Sequence, residues 1–129
     1  MNVTWLSLEQ VLVLHKVQID TYGGSAGIRD IGLVESALYG SQQTFDGVDL
    51  YPRLSDRAAA LWHGFVCNHA FADGNKRIGL NVAVVFLRMN GHKLNLTAPE
   101  VEALTLKIAC SEVSRQELIE KLPGHVIPL

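Results

Sequence analysis

The nine residues His69-Ala70-Phe71-Ala72-Asp73-Gly74-Asn75-Lys76-Arg77 form a polar knot between two strongly apolar segments. In the upstream segment, Arg57 to Phe71, residues Ala58, Leu61, Trp62, Phe65, Val66 and His69 keep returning to one side, which is helical spacing. Ser55 and Asp56 supply helix-start chemistry for it. Downstream, a second helix opens at Asn75 and runs through Ile78, Leu80 and Val82 to Leu87, with a stop at Asn90-Gly91. Beyond its first turn it is apolar almost all the way round, the pattern of a central helix packed on every side. The chain is therefore expected to be all-α, with two core helices joined by a charged turn at Asp73-Gly74.

Outward from this joint, the other segments are helical too. Ser7 with Gln10 makes a capping box for a first helix over Leu8 to Tyr22, on which His15 and Tyr22 are expected at the boundary or surface. Gly23-Gly24-Ser25-Ala26-Gly27 breaks it, and Asp30 caps a second helix with Leu33, Val34, Ala37 and Leu38 on one face. Gln42 to Leu54 is aperiodic. Its Asp46-Gly47, Asp49 and Tyr51-Pro52 suit a loop or short hairpin, either a connector or a flap over the following site. After an extended piece, His92 to Leu96, the pairs Thr97/Glu100 and Ser114/Glu117 make capping boxes for two more helices, and Pro123-Gly124 ends the last. The sum is about six helices around a buried central helix, with one possible hairpin, in a single domain spanning residues 1–129.

Composition bounds what such a domain can do. At 129 residues, 48% hydrophobic and 19% charged, the chain can bury a core without staples. A net charge of -2 leaves no basic footprint for direct nucleic-acid binding. Cys67 and Cys110 lack CxxC spacing and lie in apolar helical contexts, so buried free thiols in a reducing compartment are expected. No run approaches the roughly 18 apolar residues of a membrane span and no signal-peptide pattern opens the chain, so a cytoplasmic protein without membrane partners is expected.

The residue types in the knot point to phosphate chemistry. Gly74 permits a tight turn, and the amides of the first helical turn after it lack intrahelical acceptors. With the positive end of the helix dipole they make an anion site, to which Lys76 and Arg77 add charge. Two cations there are unfavourable for the helix alone, and a bound polyphosphate would reverse that penalty. His69 and Asp73, four residues apart, can project toward the same mouth. Imidazole accepts a proton near neutral pH, and a carboxylate beside phosphate suits magnesium. A base, a metal ligand and an anion cradle are the parts that phosphoryl or nucleotidyl transfer needs. Phe71 is expected to anchor the turn to the core, and His63, six residues before His69, to be structural.

At these positions the chain resembles the Fic/Doc family, whose signature is HxFx(D/E)GNxR, most closely its Doc (death-on-curing) toxin branch. His69, Phe71, Asp73, Gly74, Asn75 and Arg77 match, as do the flanks Leu50-Tyr51-Pro52 and Ile78-Gly79-Leu80-Asn81. The resemblance spans most of the chain, from about Leu33 to the final helix. Adenylylating members typically carry a second glycine where this chain has Lys76, and often an arginine where it has Leu80. Lys76 matches the Doc-type variant, whereas Gly74 stands where the Doc toxin itself has alanine.

The resemblance implies that His69 is the base, that Asp73 binds magnesium, and that Gly74, Asn75, Lys76 and Arg77 hold nucleotide phosphates. It further implies that Asp46, Gly47, Val48, Asp49, Leu50 and Tyr51 belong to a flap aligning the target by strand pairing. Lys76 implies ATP held with its terminal phosphate toward His69, and so a kinase-like toxin acting on a threonine of a translation factor resembling elongation factor Tu. No (S/T)xxxE(G/N) inhibitory motif occurs, which implies silencing in trans by an antitoxin docking as a helix. Two alternatives stand beside this: a Fic-type adenylyltransferase, and a catalytically idle module that uses the groove only for its partner.

Overall fold

Ser7, Asp30, Thr97 and Ser114 each accept a hydrogen bond from a first-turn amide of the helix that follows, so four of the six helices start where a side chain caps them. The computed structural model describes residues 2–129. Its helices are α1 (Leu8–Tyr22), α2 (Ile31–Gly40), α3 (Leu54–Asn68), α4 (Asn75–Met89), α5 (Ala98–Ala109) and α6 (Arg115–Lys121). Two antiparallel pairs complete it: β1 (Thr44–Phe45) with β2 (Val48–Asp49), and β3 (His92–Leu94) with β4 (Val126–Pro128). The all-helical class and the six helices are as expected.

The centre is a pair of helices. One apolar cluster, containing Val11, Val34, Leu38, Leu61, Phe65, Phe71, Ile78, Val82 and Phe86, joins α1 and α2 to α3 and α4. A second, containing Trp62, Val66, Ala83, Ile108 and Leu118, joins α5 and α6 to the other side of the same pair. Of the two central helices α3 is the more completely enclosed, with Leu54 to Asp56, Ala58 to Trp62 and Gly64 to Val66 all buried. On α4 the buried side chains are Ile78, Val82, Ala83, Phe86 and Leu87, while Arg88 is exposed. Inside the second cluster the one indole donor is satisfied, since Trp62 Nε1 donates to Thr105 Oγ1 at 3.1 Å.

Three expectations need correction. The cap of α3 is Arg53, in an extended conformation, rather than Ser55 or Asp56. Asp56 occupies the third helical position, where its carboxylate accepts from the Arg53 amide at 3.1 Å and from Arg53 Nε at 3.0 Å. The same helix ends at Asn68, not Phe71, because His69 turns left-handed with φ 51°. Residues 70–72 then pair with the stretch after α1: Arg29 and Asp30 amides donate to Ala70 O at 2.9 and 3.1 Å, and the Ala72 amide to Gly27 O at 2.9 Å. Both cysteines are free but exposed. Cys110 lies at the C-terminal cap of α5 and Cys67 in the last turn of α3.

The aperiodic middle stretch does form a hairpin. Asp46 and Gly47 both adopt positive φ, 53° and 77°, the two-residue turn whose twist matches its strands. Arg57 on α3 ties down its far strand, pairing with Asp49 at 2.9 Å and donating from Nε to Tyr51 O at 2.8 Å. The extended piece after α4 pairs with the C-terminal strand, Lys93 opposite Ile127, a partner that no local pattern announces. No helix of the described residues is long and apolar enough to cross a membrane.

The α3–α4 contact depends on Gly79. A Cβ there would lie 2.5 Å from Val66 Cγ2 and 2.9 Å from Trp62 O, the latter on rigid helical backbone. Gly79→Ala is expected to lower stability by about 1–3 kcal/mol. The measurement is the urea midpoint at unchanged m-value; a midpoint equal to the parent's would refute the tight contact.

Candidate active site

The turn between α3 and α4 is built before any ligand is considered. Asn75, the first residue of α4, folds its amide back onto Phe71: the Phe71 amide donates to Asn75 Oδ1 at 3.1 Å, and Asn75 Nδ2 donates to Phe71 O at 3.0 Å. The Phe71 ring is 1% exposed and stacks on His15 of α1, with centroids 3.8 Å apart and planes 16° from parallel. Asp73 closes a local turn by accepting the Gly74 amide on Oδ1 at 2.8 Å. Gly74 caps α4 at φ 79°, in the left-handed region. An added Cβ would also collide with Gln18 Nε2.

Two residues of α1 fasten this turn from below. His15 Nε2 hydrogen-bonds the Asp73 carbonyl at 2.8 Å, and Gln18 Nε2 donates to the Gly74 carbonyl at 2.9 Å. Gln18 Oε1 in turn accepts from Asn81 Nδ2 of α4 at 3.2 Å. His15 is 2% exposed, so the expectation of a boundary or surface residue is overturned. Its helical position gave no hint, because its partner is a backbone carbonyl 58 residues away.

With the turn so fixed, the first-turn amides of α4 face outward. Its first intrahelical bond runs from the Ile78 amide to Gly74 O at 3.0 Å, and among the described residues those of Asn75, Lys76 and Arg77 have no backbone acceptor. That turn has no acidic residue and no side-chain cap. Lys76 and Arg77 are exposed and among the described residues pair with no carboxylate; the ion pairs of those residues are Arg53–Asp56 and Arg57–Asp49. Arg77 instead lies over the Tyr22 ring, 4.0 Å from its centroid. Geometry and charge suit this end to an anion.

A groove of about 880 Å³ runs from this end toward α5. His69, Asp73, Gly74, Asn75, Lys76 and Arg77 all line it, facing Val101, Glu102, Thr105 and Leu106 across the gap. Thus six of the seven residues expected in the knot meet at one opening, while Phe71 stays beneath it. Asn75 reaches the groove with its side chain already committed to Phe71, so what it has left for an anion is its backbone amide. The hairpin residues Asp46 to Tyr51 do not line the groove. The imidazole of His69 is exposed and makes no hydrogen bond among the described residues.

Among the described residues no three of His, Cys, Asp and Glu gather as a ready metal site. Magnesium does not need one, since one or two carboxylates with substrate phosphates and water complete its shell. The exposed Asp73 carboxylate beside three free amides and two cations fits that mode. Sequence reasoning missed His15 and Gln18 as supports, Tyr22 as a stacking partner, and the α5 wall. The Tyr22–Arg77 pair is 55 positions apart, beyond any local pattern.

A family model described as "Fic/DOC family" matches residues 5–87. The chain is 36% identical over 122 residues to the protein named Toxin Doc of Mycolicibacterium smegmatis, covering 93% of this chain and 92% of that one. It is 33% identical over 117 residues to the protein named Protein kinase doc of Escherichia phage P1, covering 91% of each.

His15→Phe would keep the stack on Phe71 and leave the Asp73 carbonyl without its donor. A loss of about 1 kcal/mol in unfolding free energy is expected. Amide exchange at Gly74 should quicken along with it, and unchanged exchange would show that His15 does not hold the turn.

Proposed function

Since this chain belongs to the Fic/Doc family, we propose that it is a protein-modifying phosphotransferase, a Doc-type toxin that moves the terminal phosphoryl group of ATP to a threonine hydroxyl of an elongation factor Tu-like translation factor, blocking translation in the cytoplasm. The observation that carries this reading is the acid-free first turn of α4, where among the described residues Lys76 and Arg77 have no carboxylate partner and share one groove with His69. Both relatives described above are of the Doc type, and the name of the phage protein states kinase activity for that protein.

The roles follow from chemistry. His69, exposed at the groove and free of protein partners, would accept the proton of the attacking hydroxyl. The amides of Asn75, Lys76 and Arg77 with the two side-chain cations would hold the nucleotide phosphates, and Gly74 would set the left-handed turn that presents them. Asp73 would hold magnesium, which when bound supplies charge neutralisation between phosphates. The groove is in the usual range for a nucleotide-sized ligand, of order 300–1,000 Å³. The Asp46-Gly47 hairpin offers short exposed strands to a target segment, so its part would be alignment of the protein substrate. An antitoxin segment docking as a helix would silence the enzyme in trans.

One observation favours a second reading. Gly74 stands where the Doc toxin has alanine, so the chain mixes features of the two branches and transfer of AMP is the alternative outcome. Intact mass of purified elongation factor Tu after incubation with the protein, ATP and magnesium separates them. A gain of one phosphoryl group is expected; a gain of one AMP would replace the kinase reading. His69→Ala should slow transfer by at least about 100-fold and abolish growth arrest. Equal arrest with the variant would favour the idle binding module.

A further inference from the structure

A second cavity, of about 200 Å³, lies behind α3, between α2, the base of the hairpin and the first residue of α6. It shares no lining residue with the groove. Two polar atoms of residues lining it, His63 Nδ1 and Arg115 Nε, are buried without a hydrogen-bond partner. Native proteins seldom leave such groups unmet, and least of all on a guanidinium.

The surroundings show what is missing. Arg115 Nη1 donates to the Tyr51 hydroxyl at 3.1 Å, but no carboxylate lines the cavity and neither ion pair of the described residues includes Arg115. Burial first, and the Arg115 charge second, push the His63 imidazole below its ordinary range. Burial pushes the Cys67 thiol up, against a smaller opposing pull from Arg115. Cys67 Sγ lies 3.7 Å from His63 Nε2. The half-buried Arg115 thus faces the cavity with no carboxylate among the residues that line it.

We propose that this cavity binds one small oxyanion of the phosphate type. Monohydrogen phosphate carries P–O⁻ acceptors for the Arg115 Nε–H, and its P–OH can donate to His63 Nδ1 if that nitrogen holds a lone pair. If Nδ1 carries the proton, another phosphate oxygen accepts it. A single water meets the hydrogen bonds but not the charge. The volume is below the roughly 300 Å³ at which pockets begin to admit drug-sized ligands, so a nucleotide is excluded and a lone oxyanion is not. Gln43 and Ser41 on the wall lie at the root of the hairpin, and Tyr51 leaves it, so an occupant would tie α3 and α6 to the segment that carries the hairpin.

The proposal is independent of what the groove does, and its test keeps the two sites apart. Inorganic phosphate is titrated into the full chain while backbone amides and imidazoles are followed by NMR. Saturable shifts at Gly40, Gly64 and the His63 ring are expected, separate from any at Gly74 to Arg77. Arg115→Gln should weaken the cavity response by roughly tenfold or more while leaving the Gly74 response in place. Arg115→Lys, which keeps the charge and removes the Nε donor, should weaken it too and serves if the glutamine variant fails to fold. Shifts confined to Gly74 to Arg77, or a cavity affinity unchanged in both variants, would overturn the proposal in favour of bound water alone.

Discussion

Two hydrogen bonds between the Asn75 side chain and the backbone of Phe71 set the geometry on which the rest of the molecule depends. They make the chain reverse within six residues, His69 to Gly74, so that α3 and α4 meet closely enough to share both apolar clusters. An amide side chain suits this place because it offers a donor and an acceptor together, matching the paired N–H and C=O of one residue. Leucine there would leave both Phe71 groups unmet beside a buried ring, and lysine, a donor only, would leave the Phe71 amide unmet. The fold and the site thus rest on the same turn.

The turn also explains how an unfavourable charge arrangement persists. Two cations at the positive end of a helix cost a few tenths of a kcal/mol to about 1 kcal/mol each. Support from elsewhere offsets that cost: His15 and Gln18 hold the carbonyls of Asp73 and Gly74, Phe71 is sealed in the first cluster, and backbone pairing with residues 27–30 holds the other edge. Arg77 meanwhile rests on the Tyr22 ring, a contact that neutralises none of its charge. Local destabilisation sustained by distant packing is the usual condition of a binding site.

How much of this was legible in the sequence follows from the range of each interaction. Capping boxes at Ser7, Thr97 and Ser114 and the Asp46-Gly47 turn act within three or four residues, so those helix starts and the hairpin could be read directly. The gathering of His69, Asp73 and Lys76 around one opening was readable as well, because they are separated by a single turn. What escaped lies at long separation: His15 beneath Asp73, Tyr22 against Arg77, and β4 beside β3. The sequence pattern carries α3 three residues past its end at Asn68 because Ala70 and Phe71 continue the apolar run. Pairing with residues 27–30 pulls them into an extended strand-like path that periodicity does not reveal. The cysteines misled for the same reason, since apolar neighbours along a helix do not say which way one side chain faces.

At the far end of α4 the two ends of the described chain come together. The Thr4 amide donates to Asn90 Oδ1 and Asn90 Nδ2 donates to Thr4 O, both at 2.8 Å, while the Leu129 amide donates to Gly91 O at 3.0 Å. The cationic start of α4 lies a full 15-residue helix away, roughly 20 Å along its axis. A fluorescent reporter, an affinity handle or a tether to a surface can therefore be attached at either end and project from the opposite pole to the groove.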